Sequence, residues 1–105
     1  MATLATTVNG IKLPNPFVIG SGPPGTNANV CGKAFDEGWG AVIIKTISLD
    51  ASKVINVAPR YARLRTSSRE VIGWQNIELI SDRPFNVWID ELKQLKDKYP
   101  DGVVI

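Results

Sequence analysis

A lysine and a run of small residues stand directly after two apolar segments that have the character of buried strands. Lys45 follows the segment 41–44, and a Gly-Ser-Gly run at 20–22 follows the segment 16–19. Small residues at the carboxyl end of a strand let a flat ring lie against the backbone, and such ends form the sites of βα barrels. Lys45 could supply a fixed positive charge for an anionic ring atom. A lysine that ends a strand can equally extend into solvent, and both interpretations stay open.

The segment 73–80 sets amide and acidic side chains into an apolar stretch. Asn76 offers a paired hydrogen-bond donor and acceptor, which suits the N–H/C=O edge of a cyclic amide. The alternative is an edge strand or loop that packs Trp74, Ile77 and Ile80. Asn76 is therefore a candidate ligand contact.

The loop 20–25 matches the pattern G-x-G-x-x-G between a strand and a helix, so a dinucleotide-binding Rossmann site must be weighed. Pro23 and Pro24 remove two of the N–H groups that would hold a pyrophosphate. The second strand ends in Lys45-Thr46 where that fold needs an acidic residue. A plain tight loop is a second interpretation, and a platform for a flat ring fits best.

The first half of the chain predicts a hairpin followed by one βαβ unit. Asn-Gly at 9–10 favours a type I′ turn between two short strands. The segments 16–19 and 41–44 lack polar alternation, which is typical of parallel strands buried on both faces. Between them, Thr26 or Asn27 can cap a helix that ends near residue 38. The stretch 46–73 shows no clear periodicity.

The second half predicts a further helix and a third strand. Ser81 or Asp82 can cap a helix with Pro84 in its first turn. Its apolar stripe, which we expect to be core, comprises Phe85, Trp88, Ile89, Leu92 and Leu95. A strand begins at 103, after Pro-Asp-Gly. The order β-α-β-α-β predicts an α/β fold, either a small open sheet or the first third of a larger structure.

Composition excludes several classes of function. The chain has no histidine and one cysteine, so histidine acid–base catalysis and an intrachain disulfide are ruled out. Cys31 is expected to be a small buried hydrophobe. A net charge of +2 gives no support to a nucleic-acid partner. No apolar run approaches the ~20 residues of a membrane span. Residues 1–7 do not resemble a secretory signal. We expect a solvated basic surface from Arg60, Arg63, Arg65 and Arg69.

Five segments carry a resemblance to a known family. They are Asn-Pro-Phe-Val-Ile-Gly-Ser-Gly at 15–22, Ala-Phe-Asp-Glu-Gly-Trp-Gly at 34–40, Lys-Thr-Ile-Ser-Leu-Asp at 45–50, Asn-Val-Ala-Pro-Arg at 56–60 and Asn-Ile-Glu-Leu-Ile-Ser at 76–81. In this order they closely resemble the start of the FMN-binding barrel domain of dihydropyrimidine dehydrogenases, above all the plant forms. Dihydroorotate dehydrogenases share the barrel and part of the pattern, but 45–50 followed by 76–81 favours the dihydropyrimidine branch.

The resemblance implies the N-terminal portion of a (β/α)8 TIM barrel. Residues 1–105 would be one segment of that domain, with 1–15 as a hairpin lid and 16–105 as the first βαβαβ units. A complete barrel needs roughly 250 residues, so this chain alone would not close it.

The resemblance also implies roles for individual residues. FMN would lie on Gly20, Ser21 and Gly22 and contact Lys45 and Thr46, with Lys45 stabilising negative charge on the pyrimidine end of the reduced flavin. No metal is implied.

The implied substrate is uracil or thymine, bound by Asn76, with Glu78 and Ile80 lining the neighbouring pocket. The implied reaction reduces the pyrimidine 5,6 double bond, with electrons from NADPH bound elsewhere. No catalytic residue is expected in this segment, since the family's acid cysteine would lie beyond Ile105 and Cys31 does not match it. The stretch 65–70 is shorter than in animal forms, so the substrate loop is expected to differ.

Other functions remain open at this stage. The chain could be a truncated, non-catalytic interaction or structural subunit, a dihydroorotate dehydrogenase or a Rossmann nucleotide binder. Expected partners are a pyrimidine base and the remainder of the barrel or a partner subunit, in an oligomer, without nucleic acid or membrane insertion. The expected compartment is the plastid for a plant or algal protein and the cytoplasm otherwise.

Overall fold

The computed structural model describes residues 1–105 and contains two α-helices, seven short strands and two 3-10 turns. The strands are β1 (Thr6–Val8), β2 (Ile11–Leu13), β3 (Val18–Ile19), β4 (Ala41–Val42), β5 (Tyr61–Arg65), β6 (Val71–Asn76) and β7 (Val103–Val104). The helices are α1 (Ala28–Asp36) and α2 (Phe85–Lys98), and the 3-10 turns span Pro23–Gly25 and Ala51–Lys53.

The N-terminal hairpin is confirmed. Strands β1 and β2 pair antiparallel, with Val8 opposite Ile11. Asn9 and Gly10 both have positive φ, at 49° and 83°, as a type I′ turn requires.

The central sheet is parallel, in the order β3-β4-β7, as the β-α-β-α-β pattern predicts. Val18 pairs with Ala41, and Ala41 pairs in turn with Val103. Parallel neighbours end at the same edge, so the residues that follow β3 and β4 lie beside one another. This edge carries the candidate site.

The hydrophobic core lies between β4 and the two helices. Its buried members are Cys31, Ala34, Val42 and Leu95. Cys31 has no exposed surface, as expected for a small buried hydrophobe, and burial raises the pKa of its thiol above the ordinary value.

The two helices begin differently. Asn27 caps α1 as predicted, because its side chain accepts a 3.0 Å hydrogen bond from the Val30 N–H. The predicted cap of α2 by Ser81 or Asp82 is wrong, since Pro84 is the cap residue and no side chain caps this end. Ser81 is buried instead and accepts hydrogen bonds from Trp88 and from the Arg83 N–H.

The predicted apolar stripe of α2 is only partly core. Trp88 and Leu95 are buried, at 0% and 3% exposure, whereas Phe85 and Ile89 remain exposed at 42% and 36%. The expectation that segment 16–19 is buried on both faces is also wrong within this chain, because Phe17 is 59% exposed. These surfaces have no neighbouring layer among residues 1–105.

The stretch 46–73 is more ordered than its sequence predicts. It contains the 3-10 turn Ala51–Lys53 and most of an antiparallel hairpin, in which Ala62 pairs with Gln75 and Arg65 with Val71. Arg69 takes a positive φ of 67° in the connecting turn. The packing expected of Trp74, Ile77 and Ile80 is not found, since they are 66%, 40% and 41% exposed.

The architecture is therefore mixed α/β with two helices and three small sheets, and no closed barrel forms. Neither α1 nor α2 has the length and apolar character that crossing a membrane would require.

Candidate functional site

An open pocket of about 280 Å³ lies at the carboxyl end of β3 and β4. Seven of the eight site residues predicted from the sequence line it, and Gly20 lies just outside. The complete lining is Ser21, Gly22, Pro23, Lys45, Thr46, Asn76, Glu78, Leu79 and Ile80. Three separate segments of the chain thus meet at one pocket, in the place that parallel strand ends predict.

Gly25 holds the loop 20–25 against the end of β4. Its C=O accepts a 3.0 Å hydrogen bond from the Lys45 N–H, and its own N–H donates to the Gly22 C=O at 2.9 Å. A Cβ at residue 25 would lie 2.7 Å from the Ile43 carbonyl oxygen, so only glycine permits this approach. The Ser21 hydroxyl also donates to the Ile44 C=O at 2.9 Å. The sequence interpretation gave Gly25 no role, although it is the third glycine of the G-x-G-x-x-G pattern.

Gly20 and Gly22 differ from Gly25, because no close contact within the chain requires glycine at either position. A Cβ at Gly20 would meet no atom within 4 Å, and one at Gly22 would reach only the Pro24 Cδ, at 4.0 Å. Gly22 has extended backbone, with φ of 160° and ψ of −160°. The space above these two glycines is therefore open and suits a flat group lying on the backbone.

The Rossmann geometry is absent from this loop. The pattern's last three residues form a 3-10 turn, and α1 begins only at Ala28, after the Asn27 cap. A dinucleotide site needs the helix to start inside the motif so that its free N–H groups face the pyrophosphate. The Ala28 N–H instead donates to the Glu91 carboxylate at 2.9 Å.

Lys45 does not extend into solvent. The residue is only 7% exposed, and its ammonium group forms an ion pair with Oε1 of Glu78. The resemblance implies only that Glu78 lines the pocket, whereas the structure gives it this direct charged partner. The hydrogen bond from Lys45, together with the positive charges of Lys45 and Arg60, holds the pKa of Glu78 below its ordinary value. The Glu78 carboxylate is therefore charged at neutral pH.

Arg60 departs from the expected solvated surface. Its Nη1 donates to Oε1 of Glu78 at 3.0 Å, and its Nη2 donates to Oδ1 of Asn56 at 2.5 Å. The same carboxylate oxygen of Glu78 therefore contacts both Lys45 and Arg60. No local signal predicts this contact, because it joins residues 18 positions apart through the fold.

The other three arginines make no contact with the pocket. Arg63 stacks on the Trp74 ring at 5.1 Å, and Arg65 donates to the Arg69 C=O at 2.8 Å. Their solvated setting on the β5–β6 hairpin agrees with the sequence expectation.

Backbone hydrogen bonds fix the segment that carries Asn76 and Glu78. The Ile77 N–H donates to the Arg60 C=O at 2.7 Å, and the Ser81 N–H donates to the Thr46 C=O at 2.8 Å. Asn76 ends β6 with an exposed side chain that borders the pocket. Its amide is accessible from the pocket and can both donate and accept a hydrogen bond.

The pocket presents charged and amide groups of the kind that polarise a ligand, and its lining contains no thiol or imidazole to move a proton. Cys31 lies on the buried face of α1, enclosed in the core. Across residues 1–105, no group of three or more carboxylate, thiol or imidazole side chains could hold a metal ion. The geometry defines an α/β chain with a polar pocket at the carboxyl end of a parallel sheet.

Comparison with known proteins confirms the resemblance to dihydropyrimidine dehydrogenases. A chloroplastic dihydropyrimidine dehydrogenase (NADP(+)) of Arabidopsis thaliana is 68% identical over 107 aligned positions, which cover 97% of this chain and 25% of that protein. The subunit PreA of an NAD-dependent dihydropyrimidine dehydrogenase of Escherichia coli K12 is 39% identical, over 97% of this chain and 24% of that subunit. The chain spans about a quarter of the length of these relatives. No protein-family model matches it.

Proposed function

We propose that this chain supplies the flavin platform and part of the substrate pocket of an FMN-dependent dihydropyrimidine dehydrogenase. In this proposal residues 1–105 are the N-terminal segment of one (β/α)8 barrel, with 1–15 as a hairpin lid and 16–105 as its first βαβαβ units. The single observation that carries the proposal is the meeting of three distant segments, around Ser21, Lys45 and Asn76, in one pocket at the parallel strand ends.

The residues present fit a flavin. The open space above Gly20 and Gly22 would receive the flat ring, while Ser21 and Thr46 border it. Lys45 would place its ammonium group beside the pyrimidine end of the ring and favour negative charge there. When bound, FMN supplies the hydride chemistry, and the protein positions it.

Asn76 would orient the pyrimidine base. Its amide can pair with the N–H/C=O edge of uracil or thymine, while Glu78 and Ile80 border the same space. The overall change adds two electrons and two protons across the 5,6 double bond and oxidises one NADPH to NADP+. The NADPH site and the acid that protonates the base would lie in parts of the protein outside this chain.

Variants of the full-length protein test the proposal. Lys45→Gln should lower kcat/KM for uracil by about 10²-fold or more, because it removes transition-state charge stabilisation. Asn76→Ala should act mainly by weakening uracil binding, by about tenfold or more. Lys33→Gln, which removes an exposed positive charge of α1, is the matched control and should leave both unchanged.

Flavin content is a separate measurement. The full-length protein should purify yellow or become yellow with added FMN. A protein that stays colourless with FMN and does not consume uracil with NADPH would refute the proposal. Consumption of dihydroorotate in place of uracil would identify the related branch instead.

The exposed apolar surfaces favour one alternative function. Phe85 and Ile89 of α2 are exposed, and so is Phe17, which directly precedes β3. In the alternative, these surfaces dock on a partner and the chain is a non-catalytic subunit. A well-folded monomer of residues 1–105 in size-exclusion chromatography with light scattering would refute that alternative.

The chloroplast location of the Arabidopsis relative supports a plastid location if the source is a plant.

A further inference from the structure

The charged cluster at the pocket contains two cations and one anion. Lys45 and Arg60 each carry one positive charge, and both contact the same oxygen, Oε1 of Glu78. One negative charge therefore faces two positive charges, and these three side chains together carry one net positive charge beside the space proposed for a ligand. Of these three residues, Lys45 and Glu78 line the pocket and Arg60 does not.

Arg60 is held on two sides. The fork of its guanidinium spans two partners, with Nη1 on Glu78 at 3.0 Å and Nη2 on Asn56 at 2.5 Å. Asn56 in turn donates to the carboxylate of Asp82. The backbone adds a third tie, because the Arg60 C=O accepts from the Ile77 N–H, one residue before Glu78.

These contacts determine where the Glu78 carboxylate can lie. A carboxylate paired with Lys45 alone could follow the flexible lysine side chain to any position its rotamers permit. Arg60 prevents this, because a guanidinium that is fixed at both ends of its fork offers one direction for Oε1. Lys45 then approaches an acceptor in a fixed place, so its ammonium group is directed at one part of the pocket.

We propose that Arg60 is a positioning residue of this site, which holds the Glu78 carboxylate in place and through it directs the Lys45 ammonium group at the ligand. The role rests on the proposed flavin site, since the ligand in question is the negatively charged reduced ring. Arg60 does not line the pocket, so in this role it directs Lys45 only through its contact with Glu78. Its positive charge also offsets the charge of Glu78, which leaves Lys45 able to favour an anion.

The test compares four variants of the full-length protein. Arg60→Gln removes the fork and its charge. Arg60→Lys keeps the charge but cannot hold Glu78 and Asn56 together. Asn56→Ala removes only the far anchor of the fork. Arg65→Gln is the matched control, because it removes one arginine charge at the tip of the β5–β6 hairpin, where Arg65 contacts the Arg69 C=O.

Two readouts separate charge from position. The first is the ratio of reduced to oxidised flavin, measured without substrate. The protein is equilibrated with a reference redox dye whose own ratio of reduced to oxidised form is held fixed. Arg60→Gln should lower this ratio by about threefold or more, the effect of one unit charge a side chain away even under water-like screening. Arg60→Lys should restore it.

The second readout is kcat/KM for the pyrimidine. Arg60→Gln should lower it by about tenfold or more through kcat, because a misdirected cation loses transition-state stabilisation. Arg60→Lys should recover only part of this loss, and Asn56→Ala should show a smaller loss in the same direction. Arg65→Gln should match the wild type in both readouts.

Each outcome decides between the interpretations. Arg60→Gln that behaves like Arg65→Gln in both readouts overturns the proposal. Full recovery of kcat/KM by Arg60→Lys, with Asn56→Ala equal to wild type, overturns the positioning role and leaves a charge effect alone. If Arg60→Gln does not fold, Arg60→Lys and Asn56→Ala still decide. A wild-type protein without bound flavin would instead refute the proposed function itself.

Discussion

Replacing Gly25 by alanine should displace the loop beneath the pocket and weaken the fold. The new Cβ would lie 2.7 Å from the Ile43 carbonyl oxygen and 3.1 Å from the Cα of Ile44, and neither backbone atom can rotate away. The loop must therefore move, which breaks or lengthens the 3.0 Å hydrogen bond from the Lys45 N–H to the residue 25 C=O. Overpacking costs ~1–3 kcal/mol and the hydrogen bond ~1 kcal/mol, so the free energy of unfolding should fall by ~2–4 kcal/mol.

The assay is urea unfolding of the full-length protein without added ligand, followed by circular dichroism. Gly20→Ala is the control, because its Cβ meets no atom within 4 Å and its stability should change by less than about 0.5 kcal/mol. The control should nevertheless bind FMN more weakly than the wild type, since its methyl group enters the space proposed for the ring. Equal unfolding curves for Gly25→Ala and wild type would refute the reasoning about the close approach.

Three further predictions concern single side chains. Ser81→Ala should lower the free energy of unfolding by about 1–3 kcal/mol in urea titrations, because it leaves the buried Trp88 N–H without its 2.9 Å acceptor, and an unchanged midpoint would count against this. The pKa of Glu78 is lower when folded than its ordinary 4.5, so its ion pair stabilises the fold above about pH 4.5 and this stabilisation disappears as the pH falls through the lowered value. Urea midpoints measured from pH 6 to pH 3 should therefore fall more steeply for the wild type than for Glu78→Gln, and parallel curves would contradict the role of Lys45 in that shift. Cys31 should react slowly with a thiol reagent at pH 8 in the folded protein and rapidly in urea, because burial raises its pKa and blocks access; fast labelling of the folded protein would show that the core opens.

The features predicted correctly from the sequence have strong local causes. Asn9 and Gly10 determine the first turn because few other residues accept two positive φ values. Asn27 determines the start of α1 through its own side chain. The meeting of Lys45 with the 20–22 run follows from the geometry of parallel strands, which end at a common edge.

The features that were missed depend on contacts distant in the sequence or on weak patterns. The β5–β6 hairpin lacks a buried face, so its strands show no clean alternation of apolar and polar residues. Arg60 reads as one more surface arginine until the fold brings Glu78 beside it. Ser81 has the residue type of a helix cap, but the ring N–H of Trp88 and its burial give it a different partner.

The setting of Trp88 gives the chain an optical reporter of its own. Trp39 and Trp74 are 40% and 66% exposed, so iodide in the solvent should quench their emission, whereas the fully buried Trp88 should keep a blue-shifted, unquenched emission. The Trp88 ring N–H bonds Ser81, whose backbone N–H bonds the Thr46 C=O at the edge of the pocket. A ligand that shifts the backbone at Thr46 would therefore change the emission wavelength of Trp88, so no added fluorophore is needed.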